Sequence, residues 1–454
     1  MAIGTEHAPK YFARYAEPEA KLAAAVTSAY SATLVVPVCR EPITCLDGFR
    51  AALAGAPGRV LLILAVNAPA DASAEAHREN QELLGALAAR FSGRVPLRAP
   101  DVNTGAWLAA WESCDLLWLD RASPGACLPP GEGVGMARKL GADLAAALCL
   151  NGQIACPQIA CSDADATLPS DYFVRLSQAG REPGASTALL WPFLHEPGEH
   201  SAIDAATVLY EISLRYYVLG LAAARSCYAY QSIGSTLCIE AAAYTSVRGF
   251  PKRAAAEDFY LLDKLAKVGP LRRLPGTPLR LRARASDRVP FGTGRRTREI
   301  AELTERGDQF ELYSPEVFAA LGAVLEGLNA FAESRQPSAL ERVVNARLSE
   351  LASPVLGVLE GLKVFPALAA AAGQAPAGAV LRRRIHTWFD ALRTLRFIHG
   401  LRDARLPSLP WAEALATAPF LREPFADGAR PEAVCARLTL AEAALPQLVG
   451  PTLL

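Results

Sequence analysis

Two unbroken aliphatic runs, 33–38 (TLVVPV) and 59–66 (RVLLILAV), set the pattern for the first half of the chain. Neither alternates polar with apolar residues, so each predicts a strand covered on both faces, the mark of a parallel sheet. Two further runs, 114–119 (CDLLWL) and 152–160 with Ile154 and Ile159, predict more strands. Between the runs the apolar positions switch to helical spacing. Leu83, Leu84, Leu87 and Phe91 share a face within 74–91, and Val134, Ala137, Leu140, Leu144 and Leu148 do so within 131–150. A shorter helix is predicted over 46–54. Strands alternating with helices in this way predict an α/β fold, a Rossmann-like and mostly parallel sheet flanked by helices.

Further on, Leu209, Ile212, Leu214, Tyr217, Val218 and Leu221 predict an amphipathic helix over 204–225. Strands are expected over 236–239 and 278–285, with a helix over 260–268 between them. From about Thr297 the strand pattern stops. Pro337, Pro354, Pro366 and Pro376 then punctuate helical segments rich in alanine, leucine and glutamate, and 387–401 (TWFDALRTLRFIHGL) is the most amphipathic of them. Three parts follow: an N-terminal arm and helix over 1–30, a sheet domain over 31–296, and a C-terminal helical domain over 297–454.

Composition narrows the function classes. With 454 residues, 51% hydrophobic and 20% charged, the chain is ordinary globular material for two or three domains. Lysine plus arginine and aspartate plus glutamate balance at 46 each, so the molecule offers no overall attraction for nucleic acid. Ten cysteines include no CxxC pair and no Cys/His ligand set, which argues for reduced thiols and against zinc or a disulfide framework. The opening MAIGTEHAPKYFARYAEPEA has no apolar run behind a positive segment. No stretch offers the roughly 18 charge-free apolar residues of a transmembrane segment. The expectation is a cytoplasmic protein.

The candidate chemistry begins where the run 152–160 ends, in CSDADATLPSDYF (161–173). Residues i and i+2 of an extended backbone point the same way, so Asp163 and Asp165 would face one small site at the strand exit. Two hard carboxylates with open positions suit Mg²⁺ or Mn²⁺; the same residues also serve as a polar strand end entering a turn. In open α/β sheets ligands lie beyond the carboxyl ends of the strands. Arg40-Glu41, Asn67 and the Asp163/Asp165 pair all fall at such exits and predict one cleft. Glu257 and Asp258 head a predicted helix, where its dipole favours acids.

The segment 284–296, which contains SDRVPFGTGRR, combines glycines with several guanidinium groups. That suits a diphosphate or a small anionic acceptor, and equally a solvated basic turn. Arg288 stands out there, with Arg284 second. Other motifs fail. Gly131, Gly133 and Gly135 lack the dinucleotide spacing and follow Pro129-Pro130, not a strand. No P-loop or GxSxG elbow exists, and His195 and His200 belong to no ligand pattern.

Six segments in order, TLVVPVCREP, RVLLILAVN, GVGMARKLGADLA, CSDADATLPSDYF, GSTLCIEAAAYTSVRGFP and AEDFYLLDKLAKVG, resemble the family 2 nucleotide-sugar glycosyltransferases of the GT-A fold. The resemblance spans about residues 30–295 and leaves the C-terminal third uncovered. It implies a GT-A sheet in which Asp163 and Asp165 hold the Mg²⁺ or Mn²⁺ that bridges the donor diphosphate, with Asp163 nearer the ribose. It further implies that Asp258, with Glu257 beside it, is the base that takes the acceptor hydroxyl proton. Pro37, Val38 and Glu41 would line the nucleotide-base pocket, Arg138 would reach toward the donor, and Gly234 and Ser235 would floor the site. Arg40 stands where the family usually has Asn, Asn67 where an acidic base-contacting residue is common, and Lys139 where Asn follows the helix arginine.

The implied partners are a nucleotide-sugar donor and an acceptor, for which a small anion would suit the arginine segment. The implied reaction is transfer with inversion. A nucleotidyltransferase would need glycines after the first strand that Cys39-Arg40-Glu41-Pro42 lacks. A non-catalytic sugar-nucleotide-binding or scaffold protein is the remaining alternative. The helical tail is expected to pack against the cleft or to form a homodimer surface.

Overall fold

A computed structural model describes residues 4–181, 186–198, 200–284, 292–421, 425 and 428–454. The chain forms two compact units, one from Met1–Gly198 with Ser232–Arg295 and one from Glu199–Gln231 with Arg296–Leu454. The predicted 31–296 span therefore includes one helix, Ser201–Ala223, that groups with the C-terminal helices, while the 1–30 arm groups with the sheet.

The first unit is α/β. Its strands up to the Asp-Ala-Asp turn are β1 (Ala32–Val38), β2 (Val60–Asn67), β3 (Val95–Pro96), β4 (Gly105–Trp111), β5 (Cys114–Arg121) and β6 (Gln158–Cys161). After it come β7 (Ala166–Thr167), β8 (Ala188–Leu190), β9 (Phe193–Glu196), β10 (Leu237–Glu240), β11 (Leu271–Arg273) and β12 (Leu279–Arg282). The main sheet runs β11-β8-β10-β6-β1-β2-β5-β4-β3, and β7, β12 and β9 form a second, small one. Only β6, β1, β2 and β5 make a continuous parallel block, with Val35 opposite Ile63 on one side and Cys161 on the other. Strand β10 runs antiparallel to β6 and β8, and β4 antiparallel to β5. The sheet is thus mixed, with a parallel block at its centre and one further parallel pair, β8 with β11.

Every residue of β1 and β2 is buried, as unbroken aliphatic runs require. On one face Leu34, Val36 and Val38 pack with Phe49, Leu53, Leu83 and Leu87 from the helices Asp47–Ala54 and Ala74–Arg90. The other face carries the helix Val134–Leu150, at very close range. A Cβ at Gly141 would stand 2.4 Å from Val35 Cγ1, so only glycine lets this helix settle on the strand.

That helix is buried all round from Gly135 to Cys149, beyond the single apolar face its spacing predicts. The reason is the N-terminal arm. The arm and helix expected over 1–30 are a short α-helix, Ala8–Arg14, and a 3₁₀ turn, Pro18–Ala25, and the turn packs on the outer side of Val134–Leu150. A polar knot holds it there. Asp143, fully buried, accepts hydrogen bonds from the hydroxyls of Tyr11 and Tyr244, the Glu17 backbone N–H (2.7 Å) and Lys139 Nζ (2.8 Å).

The second unit is helical and built on one apolar cluster, with contributions from Ser201–Ala223, Pro315–Ser334, Ala352–Gly361 and Ala391–Ala404. Among the described residues Pro315–Ser334 is the one continuous helix long and apolar enough to cross a membrane, and Val317, Phe318, Leu321, Val324, Leu328 and Phe331 on it are core residues of this unit. The piece predicted over 387–401 is divided between two helices, Ala379–Trp388 and Ala391–Ala404. Asp390 makes the break: its carboxylate caps the second helix by accepting from the Arg393 N–H at 3.0 Å.

Candidate functional site

Parallel pairing puts the exits of β1 and β6 at one edge of the sheet. The antiparallel register, with Leu237 opposite Cys161, brings the turn before β10 to the same edge. Glu41 follows β1, Asp163 and Asp165 follow β6, and Gly234 precedes β10. These segments meet the start of the helix Glu257–Val268.

Arg138 ties them together. Only 3% exposed, it donates from Nη2 to Asp163 Oδ1 (2.8 Å), from Nη1 to the Gly234 carbonyl (2.6 Å) and from Nε to Glu257 Oε1 (3.1 Å). One guanidinium thus joins the Asp-Ala-Asp turn, the glycine turn and the Glu-Asp helix start. Gly234 is required for this, since a Cβ there would fall 2.6 Å from Arg138 Nη2. Ser235, next to it, is buried. A second guanidinium, Arg284 just after β12, bridges Glu41 and Asp165 at 2.7 Å each.

Asp258 differs from the other acids. Burial first, then the Glu257 charge, lift its carboxyl from an ordinary 3.8 to about 7; Asp163 adds to the rise, while Arg138 and the Phe259 N–H offset part of it. A carboxyl poised near neutrality beside a cluster of charges marks a candidate functional site. The preceding residue, Ala256, is held at φ 60°, a left-handed conformation costly to a residue with a Cβ, and it sets the angle at which the helix start enters the cluster.

Asp163 and Asp165 project from one turn with side chains 37% and 23% exposed. Among the described residues no group of three His, Cys, Asp or Glu side chains is spaced to hold an ion. Two carboxylates without a third protein donor fit a cation that takes the rest of its shell from phosphate and water, as Mg²⁺ and Mn²⁺ do, and not one caged by protein. Among the described residues five carboxyl groups (Glu41, Asp163, Asp165, Glu257, Asp258) lie about Arg138 and Arg284, an excess of acid that favours a cation.

Other predicted positions lie differently. Pro37 and Val38 are buried within β1, and Val38 belongs to the apolar core. Asn67 is buried, its amide N–H groups spent on the carbonyls of Val38 and Ala65 at 3.0 Å each; it clamps two strand exits together. Arg40 turns outward to Glu79 (2.7 Å), and Lys139 points into the Asp143 knot. Arg288 lies outside the described residues. The sequence marks Arg284 as part of a basic segment suited to an anion, but not its bridging role, since 119 residues separate it from its partner Asp165 and more from Glu41. No protein-family model matches the chain, and no curated protein sequence matches it.

Proposed function

We propose that the first unit is a glycosyltransferase of the GT-A kind, moving a sugar from a nucleoside-diphosphate sugar to an acceptor hydroxyl with inversion. The observation that carries this reading is the Arg138 clamp, which draws an Asp-x-Asp turn at a parallel strand exit onto a Glu-Asp helix start. The order of motifs along the chain supports the same assignment.

In this reading Asp258 accepts the proton of the attacking hydroxyl. With its carboxyl near 7, a substantial share is ionised at neutral pH while the group still holds a proton well. Glu257 tunes that base by its like charge and is itself held by Arg138. Arg138 also fixes Asp163, and so sets the spacing between the donor side and the base. Asp163 and Asp165 are the residues that would hold Mg²⁺ or Mn²⁺. When bound, such an ion neutralises charge gathering on the departing nucleoside diphosphate. Arg284 keeps Asp165 and Glu41 in place at the rim of the site.

Incubation of the purified protein with UDP-, GDP- and ADP-sugars and Mn²⁺ is expected to release nucleoside diphosphate from one of them. Asp258→Asn is expected to lower turnover by about 10²–10⁴-fold, the usual weight of a general base, with nucleotide binding measured by calorimetry nearly unchanged. Full turnover in that variant, or failure of every nucleotide to raise the melting temperature with or without metal, overturns the assignment.

A further inference from the structure

Within the second unit a pocket of ≈ 320 Å³ opens between the helix Ser201–Ala223, the segment 310–313 and the helix Ala391–Ala404. Its wall is aromatic. Tyr217 and Tyr313 stand with ring centroids 6.1 Å apart, and Phe310 lies beside them. The wall is also fixed in place. Tyr216 donates its hydroxyl to the Tyr313 carbonyl (2.8 Å), and the Tyr313 phenol is hydrogen-bonded to His399 Nε2 (2.8 Å).

Two cations complete the lining. Arg296 holds its guanidinium carbon 5.9 Å from the Phe310 ring centre, and Arg402 enters from the helix Ala391–Ala404. Each has one nitrogen on a neighbouring acid: Arg296 Nη1 on Glu299 at 3.1 Å and Arg402 Nε on Asp403 at 2.7 Å. A guanidinium carries five N–H donors, so both keep donors to offer. They act on the same phenol, each countering the rise that burial imposes on Tyr313. Among the described lining residues the one acid is Glu311. The Tyr217 and Ser408 hydroxyls, both in the lining, have no hydrogen-bond partner among the described residues.

We propose that this pocket binds a sugar monophosphate, with its phosphate on Arg296 and Arg402 and its ring against Tyr217 and Tyr313. Planar guanidinium groups match phosphate oxygens in paired hydrogen bonds. Electron-rich aromatic faces take the C–H face of a sugar ring, and unpartnered hydroxyls are ready for its hydroxyl groups. The volume lies at the bottom of the range for small-molecule sites and suits a single ring, not a nucleoside-diphosphate sugar. The site is therefore distinct from the one proposed for the donor and does not depend on it.

Calorimetry on the full chain with glucose 6-phosphate, inorganic phosphate and glucose tests the assignment. The sugar phosphate is expected to bind saturably, inorganic phosphate more weakly, and glucose not at all. Arg296→Gln and Arg402→Gln are each expected to weaken binding about tenfold, as loss of a charge-assisted contact implies, and Tyr217→Phe to weaken it severalfold. Circular-dichroism melts check that these variants are folded. Asp258→Asn is expected to bind the sugar phosphate as the wild type does. No saturable response, affinity equal to that for inorganic phosphate, or unchanged affinity in the Arg296→Gln/Arg402→Gln double variant overturns the proposal.

Discussion

Arg138 is a charge taken out of water, and what makes that tolerable is that all three of its nitrogens find an acceptor. Arg138→Met would leave Asp163 and Glu257 facing one another without it. The variant is expected to lose about 3–5 kcal/mol in urea unfolding, the range for breaking one side of a buried ion pair. Asp258 gives a prediction of opposite sign. Between its ordinary 3.8 and about 7 the folded protein keeps a proton that the unfolded chain has released, so this group makes stability fall as pH rises through that window. Asp258→Asn should therefore melt higher than wild type at pH 8, with the gap closing as pH drops toward 3.8. Equal pH profiles for the two proteins would show that the carboxyl is not perturbed. At this scale the acids could be singled out in the sequence because they sit at fixed offsets within motifs, whereas Arg138, expected to reach toward a donor, is instead bonded to Asp163, Gly234 and Glu257. Pro37, Val38 and Asn67 were not legible, since an unbroken apolar run does not tell which of its side chains opens on a cleft and which closes the core.

Among the elements, the helix Val134–Leu150 carries most of the architecture, pressing Gly141 on β1 and Asp143 on the N-terminal arm. The arm holds few strong apolar residues, and its 3₁₀ turn is weak in itself, so its attachment leans on Asp143. Asp143→Ala strips the Tyr11 and Tyr244 hydroxyls and the Glu17 N–H of their acceptor and leaves the buried Lys139 with the Tyr11 hydroxyl at 3.0 Å and, as a counter-charge, Glu17 at 4.0 Å. Hydrogen exchange is expected to rise sharply over residues 8–25 and little in β1 or β2, and limited proteolysis to cut first in the arm. Uniform exchange across the unit would instead mean that the knot holds the sheet itself. The central strands and flanking helices were readable from periodicity because each is buried as a complete run or a complete stripe. Strand β4, GAWLAAW, was not read because it is a half-covered strand of small residues and tryptophans with no clean alternation. The arm does carry an α-helix, Ala8–Arg14, but its alanine-rich part is a 3₁₀ turn, Pro18–Ala25, because the surface that receives it lies more than a hundred residues away in sequence and local composition does not show it.

The composition of the whole molecule turns on the helix Ser201–Ala223, whose amphipathic stripe was plain in the sequence but whose destination was not. Neighbouring strands suggested the sheet; the stripe in fact packs within the helical unit. There Gly220 admits the Phe318 ring, which a Cβ would approach to 2.6 Å, and Arg215 is paired with Glu211 and with Glu442 at 2.8 Å. The helical unit is therefore discontinuous, and a cut at the apparent boundary separates the helix from its partners. A chain ending at Arg295 would expose Ile212, Tyr216, Leu219 and Leu221 and leave Arg215 without Glu442, so it is expected to aggregate on size-exclusion chromatography. A chain of residues 1–198 joined to 232–295 by a flexible linker of about 15 residues, which spans roughly 20 Å, removes that helix together with the tail. It is expected to elute as a compact species and to melt cooperatively. Should the chain ending at Arg295 behave as well as the spliced one, the helix would have to be stable without the core it now shares, and the division into these two units would not describe how the protein folds.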